Sequence, residues 1–121
     1  MILAVDIGTT SMKMGLFLRG EKGLDLVRQF SRSYKVNIYN NGSYGDIEQE
    51  KWRTAFFEGC RMMRDLLGDV EVISLSGTTP GLTAMDEKAN ALYPAILMLD
   101  RRSYVQAHRI IEIIGMENLW Q

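Results

Sequence analysis

Ile2-Leu3-Ala4-Val5-Asp6-Ile7-Gly8-Thr9-Thr10-Ser11-Met12-Lys13 is the stretch on which the fold turns. Ile2 to Val5 is a continuous apolar run ending in Asp6, the pattern of a strand buried on both faces. Gly8 marks a turn. Met12, Met14, Leu16 and Leu18 then alternate with Lys13, Gly15 and Phe17, the period of a second strand. Arg19 to Gly23 is another turn, and a third strand follows around Leu24 to Tyr34. These runs are joined too tightly for crossover helices, so an antiparallel meander is expected. At the first turn, Gly8 permits a tight bend and close backbone approach. The amides and hydroxyls of Thr9, Thr10 and Ser11 are suited to donate to phosphate oxygens. Asp6, at the strand end, suits a water-coordinated magnesium ion, and Lys13 adds a point charge. The same residues also make an ordinary polar hairpin turn capped by an Asp, and spacing alone leaves both readings open.

Outward from this turn, the chain alternates helix and strand signals. Asn40 to Gly45 reads as a loop. Asp46 followed by Gln49 has the capping-box pattern of a helix start. Trp52, Ala55, Phe56, Cys60, Met63, Leu66 and Leu67 recur at helical spacing, with Gly68 as the stop. Val70 to Ser76 reads as a fourth strand reached through that helix. Gly77 to Gly81 is a small-residue turn containing Pro80. Leu82 to Met85 and Leu92 to Leu99 flank a polar loop and predict a hairpin. Asp100 is placed to cap a last helix with Tyr104, Ala107, His108, Ile111 and Ile114 as its apolar stripe and Gly115 as its end. The fold class is therefore α/β.

Composition narrows the function classes. The 121 residues suffice for one domain, with 46% apolar and 24% charged side chains. Fourteen basic against fifteen acidic residues leave a net charge of −1, so nothing electrostatic points to nucleic acid or an anionic membrane. The single cysteine, Cys60, excludes an internal disulfide and a Cys-based metal cluster. No run approaches the ~18 apolar residues of a membrane span, and the expected compartment is the cytoplasm. His108, without a second His or Cys nearby, reads as structural, and Cys60 as a small core residue.

Asp6-Ile7-Gly8-Thr9-Thr10-Ser11, opening a strand-turn-strand, resembles the first phosphate motif of the actin-like ATPase superfamily. Three later segments are similar to FGGY-family carbohydrate kinases: Ile47 to Trp52, Ile73 to Asp86, and Leu92 to Arg102, which follows the family's pro-ala-ile-x-trp-x-asp-x-arg stretch. The matches run in order along nearly the whole chain. The resemblance implies an RNase H-like mixed sheet, with the antiparallel meander, helices and an inserted hairpin. It implies ATP and Mg2+ as cofactors and a sugar or polyol as acceptor. By it, Asp6 is the magnesium-site carboxylate, and Gly8, Thr9, Thr10, Ser11 and Lys13 face the ATP phosphates.

By the same resemblance, the family's sugar-contacting loop falls on Thr78, Thr79 and Pro80, and Asp100 and Arg101 are expected to line the sugar cleft. Thr78-Thr79-Pro80 departs from the Gln-Met-His of xylulokinases and the Gln-Arg-Glu of glycerol kinases, and Met98 stands where the family usually has Trp. Thr78 and Thr79 are equally readable as a small-residue structural turn, and Asp100 and Arg101 as a helix cap and a surface cation. The family's catalytic base lies beyond the matched stretch, so no catalytic residue is expected before Gln121, and residues 1–121 read as the N-terminal portion of the family's first domain. A free-standing, non-catalytic actin-like module that binds phosphate or a protein partner is the alternative. A homodimer is also expected, through the edge of Val70 to Ser76 and the apolar surface of Ile110, Ile111, Ile114 and Trp120.

Overall fold

The computed structural model describes residues 1–119, so the expectation placed on Trp120 lies outside the described residues. Strands β1 (Ile2–Ile7), β2 (Ser11–Gly20) and β3 (Gly23–Ser33) form the expected antiparallel meander. A fourth strand, β6 (Val72–Gly77), lies parallel to β1 and completes a mixed sheet in the order β3-β2-β1-β6. It starts two residues later than Val70: the Val70 N–H closes the preceding turn by donating to the Leu67 carbonyl, and the Glu71 N–H donates to the Met1 carbonyl just ahead of the paired strands.

Alternation along the strands sets the two faces. Leu3 and Val5 of β1 meet Met12, Met14 and Leu16 of β2 in a buried cluster. Helix α1 (Gln49–Met62) covers this face through Ala55 and Gly59. Gly59 is required there, since a Cβ would fall on the Met14 sulfur and the Phe30 ring. The helix stops at Met62, well before Gly68. Met63 is fully buried, and the chain then winds through a 3-10 turn, Leu67–Asp69, so that Leu66, Leu67 and Val70 cover the end of the core. A continuing helix would carry those side chains past the sheet.

A second sheet was not expected. β4 (Asn37–Tyr39), β5 (Tyr44–Ile47) and β7 (Ala95–Ile96) pair antiparallel in the order β4-β5-β7. The stretch read as a loop is thus a hairpin, and its turn residues Asn40, Asn41 and Gly42 all have left-handed φ, 51°, 54° and 83°. Asn and Gly tolerate that conformation best. Val36, Ile47, Ala95 and Leu97 form the core beneath this sheet, and Tyr34 and Trp52 pack against both cores. The predicted hairpin of Leu82 to Leu99 is open. It keeps only isolated bridges, Leu82 with Ile96 and Met85 with Ala91, because Ala95–Ile96 pairs along its other edge with β5.

Asp46 is not a helix cap. It sits within β5 at 2% exposure, and α1 begins after Glu48, which makes no side-chain cap. The last helix, α2 (Tyr104–Ile114), follows Ser103 rather than Asp100 and ends at Gly115 as expected, with φ 84°. None of its residues is buried, His108 lies edge-on to Tyr104 at 4.2 Å, and Ile113 is 75% exposed. The outer edge of β6 carries no further strand among the described residues, and every residue of β6 is exposed.

Candidate functional site

The turn between β1 and β2 spans residues 8–11 and is closed by the Gly8 N–H donating to the Ser11 carbonyl at 2.9 Å. A Cβ on Gly8 would lie 2.9 Å from that same carbonyl oxygen, so only glycine permits the closure. Among the described residues, no acceptor holds the Thr9 or Thr10 N–H. The turn therefore presents two backbone donors, the arrangement that binds anionic oxygens.

Cross-strand register gathers side chains below the turn. Asp6 lies opposite Lys13 on β2 and Ser76 on β6, and Lys13 lies opposite Ser31 on β3. Residues opposite one another share a face. Ser31, Lys13, Asp6 and Ser76 thus form a polar row across all four strands, on the face away from α1. The ion pairs of the described residues all lie elsewhere, so Asp6 and Lys13 are uncommitted. Among the described residues, no group of three or more His, Cys, Asp or Glu side chains is placed to hold a metal. A lone carboxylate beside open amides nevertheless fits Mg2+, which keeps several waters and binds through one or two carboxylates plus phosphate oxygens.

The turn is gripped from two sides. From β6, the Thr78 N–H donates to the Ile7 carbonyl at 2.8 Å, and the Thr78 and Thr9 hydroxyls lie 3.0 Å apart in a hydrogen bond. From the end of β3, the Tyr34 N–H donates to the Thr10 carbonyl at 2.9 Å, and the Tyr34 hydroxyl donates to the Gly8 carbonyl at 2.5 Å. The structure therefore brings Thr9 and Thr78 together, although the sequence reading had placed them in separate subsites. Thr79 is exposed. Nothing in the sequence singled out Tyr34, 26 positions from its partner.

The second group of charged residues is arranged otherwise. Asp100 accepts from the Gly45 N–H at 2.7 Å and from Arg102 Nε and Nη2 at 2.8–2.9 and 2.7 Å. Arg102 Nη2 also reaches Asp46 at 3.1 Å, and its guanidinium lies over the Tyr44 ring at 4.8 Å. Asp46 further accepts from the Tyr39 hydroxyl and from Asn37 Nδ2. Arg102 holds the Asp100 carboxyl down at about 2 despite its burial. Burial alone would raise Asp46, but bonds from Tyr39, Asn37 and Arg102 hold it below its ordinary value. The bond to Asp46, together with burial, pushes the Tyr39 phenol up to about 12.

Arg101 is not part of this cluster. Its side chain is exposed, and its N–H donates to the Ser43 carbonyl. The asp-x-arg spacing in the sequence pointed to Arg102, and that signal was available. Asp100 and Arg102 do border a cleft of about 350 Å³ with Pro80, Gly81 and Met98. Pro80 and Gly81 thus face the same space as Asp100 and Arg102, held together by the reciprocal 2.9 Å bonds of Leu82 and Ile96, while Thr78 and Thr79 stand just outside its lining.

Comparisons with known proteins agree with this geometry. The profile described as FGGY family of carbohydrate kinases, N-terminal domain, matches residues 1–121. The xylulose kinase of Staphylococcus xylosus is 31% identical over 122 residues, covering 99% of this chain and 24% of that protein. The crystal structure of xylulose kinase from Rhodospirillum rubrum superposes with a TM-score of 0.81 at 18% identity, over 95% of this chain and 24% of that one. Plasmodium falciparum glycerol kinase, solved with ADP, gives 0.74 at 19% identity, over 90% and 22%. The chain thus spans about a quarter of the length of the relatives it matches, and its mixed sheet is that of the actin-like ATPase fold. With a glycine turn between antiparallel strands, an uncommitted Asp beneath it, and a profile matched from residue 1 to residue 121, this chain belongs to the FGGY family of carbohydrate kinases.

Proposed function

We propose that the protein carrying this chain transfers the terminal phosphoryl group of ATP to a hydroxyl of a sugar or polyol. Residues 1–121 would supply its phosphate turn and one wall of its acceptor cleft, as the N-terminal portion of the first domain. The observation that carries this reading is the Thr9–Thr78 hydrogen bond, which sets a turn with two open amides against the loop that borders the cleft.

In this reading the open amides of Thr9 and Thr10 and the hydroxyls of Thr9, Thr10 and Ser11 hold phosphate oxygens, Gly8 lets the phosphate approach the turn's backbone closely, and Lys13 adds positive charge. Asp6 would hold Mg2+ through water and phosphate oxygens, and the ion would supply neutralisation of phosphate charge. Thr78 and Thr79 offer hydroxyls to the acceptor. Asp100 and Arg101 lie along the same stretch, Asp100 shaping the cleft wall through Arg102 rather than offering a free carboxylate. The acceptor oxygen forms the new bond to phosphorus as the bond to ADP breaks, and its proton passes to a base. The reading assigns no such base among residues 1–121. The names of the relatives, xylulose kinase and glycerol kinase, support a small polyhydroxy acceptor.

The test is a coupled assay of ATP turnover by the intact protein against a panel of pentuloses, hexuloses and polyols. At least one acceptor should stimulate turnover. Asp6→Asn should lower that rate by about two orders of magnitude or more while leaving the melting temperature nearly unchanged, because Asp6 packs against nothing in the core. Turnover of no acceptor, or a near-normal Asp6→Asn enzyme, would overturn the reading.

A further inference from the structure

The Gly8 carbonyl does not close its own turn. It accepts the hydroxyl of Tyr34 instead. A trans peptide is planar, with its C=O and N–H pointing opposite ways. Holding the Gly8 oxygen toward Tyr34 therefore directs the Thr9 N–H, in the same peptide plane, away from Tyr34. That N–H is one of the two without an acceptor among the described residues.

We propose that Tyr34 is a positioning residue for the phosphate turn, which fixes the Gly8–Thr9 peptide so that the Thr9 N–H is aimed at a nucleotide phosphate. This deepens the kinase reading and rests on it. The placement of Tyr34 suits the role. Its ring packs against the cores of both sheets, so the hydroxyl is delivered from a fixed point rather than from a surface rotamer. Its own N–H holds the Thr10 carbonyl, so one residue grips the turn on both sides of Thr9. Burial raises the phenol above its ordinary value, and the nearby Asp6 charge adds to this, so the group stays a donor throughout the range in which a kinase works. The Trp52 indole N–H lies beside the phenolic oxygen and favours the ionised form, but its geometry falls short of a hydrogen bond. Nε1 is buried without a partner.

Tyr34→Phe removes the hydroxyl and keeps the ring. In the intact protein, Mg·ATP affinity by calorimetry should fall about 10-fold, the scale of one misdirected bond to a charged group. The KM for the acceptor should hold within twofold. In the ligand-free protein, the Gly8 carbonyl-carbon and Thr9 amide NMR resonances should move while those of β2 and β3 stay. Replacing Tyr34 with 3-fluorotyrosine, the same shape with a hydroxyl donor, should restore both affinity and resonances. Unchanged affinity in Tyr34→Phe, unmoved Gly8 and Thr9 resonances, or a fluorotyrosine protein as weak as the Phe variant would overturn the proposal. An unsubstituted protein that does not take Mg·ATP would instead overturn the kinase reading beneath it.

Discussion

The two charged regions of this molecule use the same residue types to opposite ends. Around Asp46, Asp100 and Arg102, every charge has a partner, and the guanidinium is shared between two carboxylates and lies over an aromatic ring. Around Asp6 and Lys13, the charges stand across from each other in register without pairing, and the amides above them are open. Asp100 and Asp6 looked alike in sequence, each an Asp closing an apolar run. The difference is what the rest of the fold brings to them. A carboxylate that the protein has already satisfied can organise a cleft. Only one that it has left unsatisfied can bind a cation or a ligand there.

The comparison breaks most severely if Arg102 is removed. Arg102→Met leaves Asp46 and Asp100 without their shared cation, and both side chains are almost fully buried. The expected loss is about 3–5 kcal/mol, read as a fall in the urea midpoint at constant slope. A loss below about 1 kcal/mol would make the cluster a surface ornament and erase the contrast with Asp6.

A pH titration of stability sharpens the same point. Asp100 is held at about 2 in the folded protein, and Asp46 is shifted in the same direction, both below the ~3.9 of an unfolded Asp. A depressed folded-state pKa gives stability that is fully present above about pH 4 and is lost as pH falls toward 2. Denaturant midpoints at pH 5, 4, 3 and 2 should decline across that window, and the decline should flatten in Arg102→Met. The smallest effect belongs to Thr78→Val. It removes one half-exposed hydroxyl bond to the phosphate turn and should cost about 0.5–1.5 kcal/mol by the same denaturation.

The meander was legible because its information is local. Each strand's alternation and each turn glycine lie within a few residues of one another, and the turn between β1 and β2 inherits that clarity. The second sheet was not legible, since strands of two to four residues carry too little periodicity to stand out. Asp46 was misread for a related reason. Its capping-box pattern with Gln49 is local, whereas the groups that claim it lie across the β4-β5 hairpin, at Asn37 and Tyr39, and 56 positions away, at Arg102. Long-range pairing overrode a local preference that was real but weak. The asp-x-arg pattern marked Arg102, the residue that pairs with Asp100. Tyr34 carried no signal, because nothing in a sequence says which carbonyl a tyrosine will reach.

The parallel pairing of β1 with β6 has a consequence for the order in which this protein is made. Strands β1, β2 and β3 are joined by short turns and can pair as soon as they leave the ribosome. β6 must wait for β4, β5 and α1, and Thr78 meets Thr9 across 69 positions of chain, against 26 between Tyr34 and Gly8. Closing the longer loop is entropically costlier and slower. The grip from Tyr34 is therefore expected to form first. The turn between β1 and β2 would then take its shape inside a nascent hairpin, before β6 has been added to the sheet.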